Sequence, residues 1–189
     1  MQDFNYDHIA PYYDQLELDN ELNKKLVEGL CQFFKSHNVN KIWDASCGTG
    51  AQALPLAAAG FDVYASDISQ SMLKLAIIKA NKANIRFSLG DICEHQTTKV
   101  RAVISLYNAL GHLSPQKLKI ALQNVYKHLD DGGYFIGDFD NRAFLETPGV
   151  LSEDFFLSGE GLLNDKIFKR MTRARATSKG RYNICDRWF

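Results

Sequence analysis

The sequence predicts a doubly wound α/β domain built on a mostly parallel sheet, and three observations carry that expectation. Short apolar runs alternate with helical segments from about residue 20 to residue 139. A glycine-rich turn, Ser46-Cys47-Gly48-Thr49-Gly50, joins the first run to a helix. Asp44, Asp67, Asp91 and Asn108 each follow a strand. Parallel strands covered on both faces read as apolar runs. Ligands in such sheets bind beyond the carboxyl ends of the strands, where the strand order reverses.

The elements follow in order. Leu22, Leu26, Leu30 and Phe33/Phe34 share one helical face after Asp19-Asn20, and that helix should stop near Ser36-His37-Asn38. Val39 to Asp44 is a first strand, and the glycine turn leads into a helix from Ala51 to Ala59. Gly60 ends it, and Phe61 to Ser66 forms a second strand closed by Asp67. Ser69 can cap a helix running to about Lys82, with Met72, Leu75 and Ala76 on one side. Asn84 to Leu89 and Val100 to Leu106 are the third and fourth strands. Ser114-Pro115 is a cap residue followed by a proline suited to the first helical position. Leu118, Ala121, Leu122, Val125 and Leu129 form the apolar face of that helix. Asp130-Asp131-Gly132-Gly133 is the turn out of it, and Tyr134 to Phe139 is the fifth strand.

The character changes after Asn141. Residues 148–165 read as loop with at most a short helix. Asp165 to Thr177 alternates apolar and basic residues, and Arg181 to Phe189 is another strand, with Ser178-Lys179-Gly180 as the hairpin turn. The expected organisation is one domain: an α/β body over residues 1–147, and an antiparallel flap over 148–189 that serves as a substrate lid.

Composition narrows the function. Lys+Arg and Asp+Glu are both 22 in 189 residues, so the formal net charge is zero and offers no general attraction to nucleic acid or an anionic membrane. Cys31, Cys47, Cys93 and Cys185 form no CxxC pair and no zinc-ligand spacing, so neither a metal site nor a disulfide framework is expected. A reducing cytoplasm fits this pattern. The start, Met1-Gln2-Asp3-Phe4-Asn5, lacks a signal peptide's basic and apolar regions, and no apolar run approaches the length of a membrane span.

The glycine turn has a physical use. Glycines let the backbone bend and approach a ligand closely, and the following helix points free N–H groups toward it. Two cofactor classes exploit this. Gly48-Thr49-Gly50-Ala51-Gln52-Ala53 fits the GxGxxA pattern of a dinucleotide site, and Asp67 is placed for ribose hydroxyls in either class. Asp44, directly before the turn, would oppose a pyrophosphate and suits a ligand carrying an ammonium and a sulfonium. Asp91 can accept a hydrogen bond from an adenine amino group. A tight turn with no ligand is the structural alternative.

Several segments resemble the class I S-adenosylmethionine-dependent methyltransferases, over roughly residues 4–141. Ile42-Trp43-Asp44-Ala45-Ser46-Cys47-Gly48-Thr49-Gly50 is similar to the family's first motif, with Ser46 in place of the usual Gly or Ala. Val63-Tyr64-Ala65-Ser66-Asp67-Ile68-Ser69 is similar to the second, and Gly90-Asp91-Ile92 to the adenine-side motif. Ser105-Leu106-Tyr107-Asn108-Ala109-Leu110-Gly111-His112-Leu113 resembles the segment after strand four in small-molecule members. Tyr6-Asp7, Ile9-Ala10 and Tyr13-Asp14 resemble their N-terminal segment, which closes over the cofactor. The resemblance implies a Rossmann-like methyltransferase fold, with the family's last two strands not expected within this sequence. It implies S-adenosyl-L-methionine as cofactor, held by Tyr13, Asp44, Ser46, Cys47, Gly48, Gly50, Asp67, Ile68, Met72, Asp91, Ile92 and Leu106.

The expected chemistry is in-line methyl transfer to a small-molecule amine, hydroxyl or carboxylate. His112 is the candidate general base, with substrate binding and helix-start packing as its alternatives. Asn108 is a candidate hydrogen-bonder to substrate. Arg173 and Arg175, two apart on a strand, point to one side and suit an anionic acceptor. His8, His37, His95 and His128 read as surface residues. Membrane partners are excluded and nucleic acid is disfavoured, in a monomer or homodimer. A non-catalytic methyltransferase-like scaffold and an NAD-dependent oxidoreductase are the competing functions, the second lowered by the lack of a Tyr-x-x-x-Lys pair.

Overall fold

In the computed structural model the described residues are 6–16, 18, 20–81 and 83–139, together with the backbone of three later strands at 154–157, 169–176 and 182–188. The chain divides into two compact units, Tyr6–Phe139 and one holding those later strands.

The first unit is a five-stranded, all-parallel sheet. Its strands are β1 (Lys41–Asp44), β2 (Asp62–Asp67), β3 (Ile85–Leu89), β4 (Val100–Ser105) and β5 (Leu129–Gly137), in the order β3-β2-β1-β4-β5. The helices are α1 (Tyr13–Leu16), α2 (Asn20–Ser36), α3 (Ala53–Ala58), α4 (Gln70–Ala80) and α5 (Pro115–His128). The order reverses between β1 and β4, so the switch point falls beside the glycine turn.

Alternation along the strands feeds two cores. Ile42, Ala102 and Ile104 pack with Leu30, Phe34, Leu56 and Val63. Trp43 and Val103 turn to the other face and pack with Val100, Leu110, Ala121 and Val125. Trp43 and Phe34 are fully buried, and the Trp43 indole N–H donates to Ser66 Oγ at 2.9 Å, so no polar group is stranded there. Both expected caps form: Ser69 Oγ accepts from Met72 N–H and Ser114 Oγ from Lys117 N–H, each at 3.2 Å. Caps of this kind are typically worth ~1 kcal/mol.

Some expectations need correcting. Leu22 is 59% exposed, because the buried face of α2 runs through Val27, Leu30 and Phe34. The helix after the glycine turn shortens to Ala53–Ala58, since turns occupy the residues before it. The face α5 buries carries Ala121, Asn124, Val125 and His128, and leaves Leu122 exposed. His128 is therefore no surface residue: its Nδ1 lies 2.8 Å from the Asn124 carbonyl oxygen. His95 is half-buried, with Nε2 3.1 Å from Ser88 Oγ. The two imidazoles flank Trp43 at centroid distances of 5.6 and 5.7 Å. A histidine on a mainly polar stretch looks exposed until the strand beneath it is known.

The expected turn Asp130–Gly133 lies inside β5. A register shift opposite Val100 and Ala102 absorbs these residues, with Gly132 at φ +69°. The strand therefore starts and ends earlier than the apolar run suggests.

In the second unit, β6 (Asp154–Leu157), β7 (Lys169–Ala176) and β8 (Tyr182–Trp188) form an antiparallel sheet in sequence order. β7 pairs with β8 from Arg170↔Trp188 to Ala176↔Tyr182, and β6 stands where loop was expected. Arg173 pairs with Cys185 and Arg175 with Asn183. Their side chains lie outside the described residues.

Candidate functional site

The site is built from what leaves the carboxyl ends of the strands. Beyond β1 the chain turns sharply, with Gly48 at φ +52° and Gly50 at φ +86°. A Cβ on Gly50 would meet Leu54 at 3.0 Å and Ala76 at 3.3 Å, so packing as well as conformation demands glycine. The turn is tied to its neighbours on both sides. Ala45 N–H donates to Ile104 O and Cys47 N–H to Ser66 O, both at 2.9 Å. The hydroxyls of Ser46 and Ser105 lie 2.9 Å apart, spanning the switch point between β1 and β4. From below, Asn23 of α2 donates its amide to Ala51 O at 3.1 Å, and Gln52 donates to Asn23.

Asp67 closes β2 and braces the same turn. Its Oδ2 accepts from Gly48 N–H at 2.7 Å and its Oδ1 from Ser69 N–H at 2.8 Å. Burial pushes its carboxyl above the ordinary carboxylate range, the N–H groups of Ser69, Gly48 and Ile68 pull it back, and the Asp7 charge adds to the rise. Asp44 is 2% exposed, and its Oδ2 is buried with no hydrogen-bond partner among the described residues. Burial raises its pKa to about 7, opposed by the Ser46 N–H and reinforced by the Asp67 charge. The Cys47 thiol, buried beside both acids, is likewise pushed up. Asp67 thus feels the charge of Asp7, and Asp44 that of Asp67, so three acids lie near one another beyond β1 and β2. A gathering of acids favours a cationic over an anionic neighbour.

Asp91 lies past β3, and its Oδ1 accepts from Cys93 N–H at 2.9 Å. Gly90 N–H donates to Asp67 O at 3.0 Å, which holds the two strand ends side by side. Ile68 is 67% exposed next to Asp67, whereas Met72, Ile92 and Leu106 are buried. Tyr13 is half-buried and meets Tyr6 edge to face, ring centroids 6.1 Å apart.

The N-terminal segment, two short turns followed by α1, is fastened to this region. Asp7 accepts from Ser69 Oγ at 2.7 Å and from Ser71 N–H at 3.2 Å, at the start of α4. Asp14 accepts from Thr49 Oγ1 and pairs with Lys79 at 2.6 Å. Tyr6 Oη lies 3.0 Å from His112 Nε2.

On the β4 side, Tyr107 and Asn108 both adopt left-handed backbone, at φ +59° and +55°. Non-glycine residues in sparse regions cost of order 1–3 kcal/mol each, and persist only when their surroundings fix them. Asp138, just past β5, supplies that restraint: Oδ2 accepts from Tyr107 N–H at 2.8 Å and Oδ1 from Asn108 N–H at 2.6 Å. Asn108 O accepts from Gly111 N–H at 2.9 Å, and His112 follows in the same short 3-10 turn.

The structure thus brings together Asp44, Ser46, Cys47, Gly48, Gly50 and Asp67, keeps Tyr13 beside Tyr6 on the N-terminal segment, and sets Asn108 and His112 on the turn beyond β4. Sequence reasoning assigned no role to Asp138, because the fifth strand was drawn through to Phe139. It also gave Asp7 and Asp14 no individual role, since no local pattern shows that they reach α4 and the glycine turn.

A parallel sheet with a glycine turn at its switch point and an acid closing its second strand defines a Rossmann-like nucleoside-binding domain. Residues 42–133 match the family model for a methyltransferase domain. The chain is 29% identical over 121 residues to a ubiquinone biosynthesis O-methyltransferase of Rickettsia akari, covering 62% of this chain and 47% of that protein. It is 30% identical over 125 residues to a glycine/sarcosine N-methyltransferase of Aphanothece halophytica, covering 63% and 47%. Its fold matches that of an S-adenosylmethionine-dependent methyltransferase from Clostridium acetobutylicum with a TM-score of 0.72 at 21% identity, covering 97% of this chain and 79% of that one. Residues 42–133 thus carry a methyltransferase domain, and the chain is similar in sequence and fold to methyltransferases that use S-adenosylmethionine. It spans about half the length of the curated relatives it matches.

Proposed function

We propose that this chain binds S-adenosylmethionine in the crevice beyond β1 and β2, and transfers its methyl group to a small acceptor bearing an amine, hydroxyl or carboxylate. The observation that carries this reading is Asp44: a buried carboxylate oxygen with no partner among the described residues, beside two further acids and a glycine turn. The residues fit the cofactor's charge. Asp44 would hold its ammonium, Asp67 its ribose hydroxyls and Asp91 its adenine amino group. Gly48 and Gly50 allow close approach, with Ser46 and Cys47 in the same turn. Ile68, Ile92, Met72 and Leu106 supply apolar surface for the base and side chain, and Tyr13 an aromatic face for the cation.

The cofactor supplies a methyl group already activated on a sulfonium. The new bond forms to the acceptor as the carbon–sulfur bond breaks, and the electron pair stays on sulfur. The protein's task is alignment and exclusion of water. Asn108 orients the acceptor. His112, set by the Tyr6 hydroxyl, takes the acceptor's proton where one must leave. A monomer or homodimer in a reducing cytoplasm completes the reading. Among the described residues no helix is long and apolar enough to cross a membrane.

Calorimetry with S-adenosylmethionine and NAD tests the binding half: micromolar-range affinity for the first is expected, and tight NAD binding with none of the methyl donor overturns the reading. Turnover with a panel of glycine, an aminosugar, a catechol and a fatty acid tests the chemical half. Binding without turnover on any such panel would point to a scaffold.

A further inference from the structure

We propose that Asp138 is a positioning residue for methyl transfer: its carboxylate clamps the left-handed Tyr107–Asn108 turn, and so presents Asn108 and His112 to the acceptor. The role in transfer rests on the functional reading above, while the clamp rests on geometry alone.

Four described non-glycine residues have positive φ: Asn38, Asn81, Tyr107 and Asn108. Asn38 lies two residues past α2, where a positive-φ asparagine is an ordinary terminator, and Asn81 directly follows α4 at φ +49° and ψ −57°. Tyr107 and Asn108 instead follow a strand, are adjacent, and include an aromatic residue that rarely enters this region. The chain does not relax them to extended backbone, because two successive N–H groups in this conformation point the same way, and a carboxylate meets both. An arrangement of this kind is an anion-binding nest. The anion is the protein's own Asp138, at 2.8 and 2.6 Å.

The clamp fixes more than the backbone. A Cβ on Gly111 would fall 2.1 Å from Asn108 Oδ1, so the Asn108 side chain occupies the space above that glycine. His112 is the next residue, and its Nε2 meets Tyr6. The two groups assigned to the acceptor therefore hang from a turn whose shape is set 30 residues later in the chain. Asp138 makes no approach to the donor-side acids in the described contacts, so its loss should separate alignment from cofactor binding.

Hydrogen exchange and kinetics test this together. In the intact protein the Tyr107 and Asn108 amides are expected to exchange slowly. Asp138→Asn, whose amide group offers one acceptor oxygen instead of two, should speed both at least tenfold while leaving Gly48 and Ser69 unchanged. Affinity for S-adenosylmethionine should stay within about twofold. Misplacement of reacting groups by about 1 Å costs on the order of 10²-fold, so kcat with the best acceptor of the panel should fall about 10–100-fold at nearly constant KM. Asp138→Glu should recover part of that loss. Two amides that exchange freely in the unaltered protein overturn the clamp, and need no variant to fold. Donor affinity that falls as far as kcat in Asp138→Asn overturns the positioning role. Protected amides in a chain that binds no S-adenosylmethionine leave the clamp standing, and overturn its role in transfer along with the functional reading.

Discussion

The two sides of the crevice are built by different means. On the donor side, the glycine turn, Asp44 and Asp67 come from β1, β2 and the residues next to them, and Asp67 braces the turn by accepting from Gly48 and Ser69. On the acceptor side, the turn after β4 is strained and takes its shape from Asp138 beyond β5, while His112 meets Tyr6 from the start of the fold. The first side is held by hydrogen bonds among neighbouring strand ends. The acceptor side is an alignment held from elsewhere. Binding and chemistry should therefore fail separately when each is disturbed.

The largest expected break is on the donor side. Asp67→Ala removes a ribose acceptor and strands two N–H groups. Charge-assisted hydrogen bonds are each worth ~1.5–3 kcal/mol, so calorimetry should show a loss of S-adenosylmethionine affinity of about 100-fold or more. His112→Ala should instead leave that affinity within about twofold, and lower kcat by about 10²-fold or more where the acceptor loses a proton. Equal loss of affinity in both variants would erase the distinction between the sides.

Proton linkage sharpens it. Asp44 titrates at about 7 in the fold, above its ordinary value, and an ammonium ligand needs it ionised. Donor affinity should therefore weaken as pH falls below 7, approaching about tenfold per pH unit, and Asp44→Asn should flatten that dependence. The free protein responds oppositely. A carboxyl raised by burial holds its proton better folded than unfolded, so this group's contribution to stability grows as pH falls from 7 toward the ordinary carboxylate range.

Smaller effects concern stability alone. Gly50→Ala forces a side chain into φ +86° against Leu54 and Ala76 and should cost about 1–3 kcal/mol in urea unfolding. His95 has its pKa lowered, by burial first and then by the His128 charge. The unfolded chain binds its proton more readily. The stability it contributes is complete above the ordinary imidazole value and is lost as pH falls through that value toward the lowered one. His95→Gln should remove that slope from denaturation curves taken between pH 7.5 and 5.5.

The same contrast explains what the sequence revealed. Asp44 and Asp67 are the last residues of their strands and the glycines follow within six residues of Asp44, and apolar periodicity marks those ends well. Their roles were legible locally, and so was the parallel order, because apolar strands alternate with capped helices. Asp138 was not legible, because the bulge at Gly132 shifts β5 toward the N-terminus and puts the end of the strand one residue before it. His128 was misread because Asn124 and His128 fill a polar strip on the buried face of α5, which hydrophobic patterning treats as solvent side. Asp7 and Asp14 reach α4 and the glycine turn across more than thirty residues, and no local spacing encodes such a reach.

The placing of Trp43 between His95 and His128 has a practical consequence. A protonated imidazole quenches indole emission far more than a neutral one. The chain holds two tryptophans, and Trp43 alone lies in the first compact unit. Its fluorescence should thus act as a built-in optical gauge of imidazole protonation, and removing Trp188 would leave Trp43 as the one indole reporting.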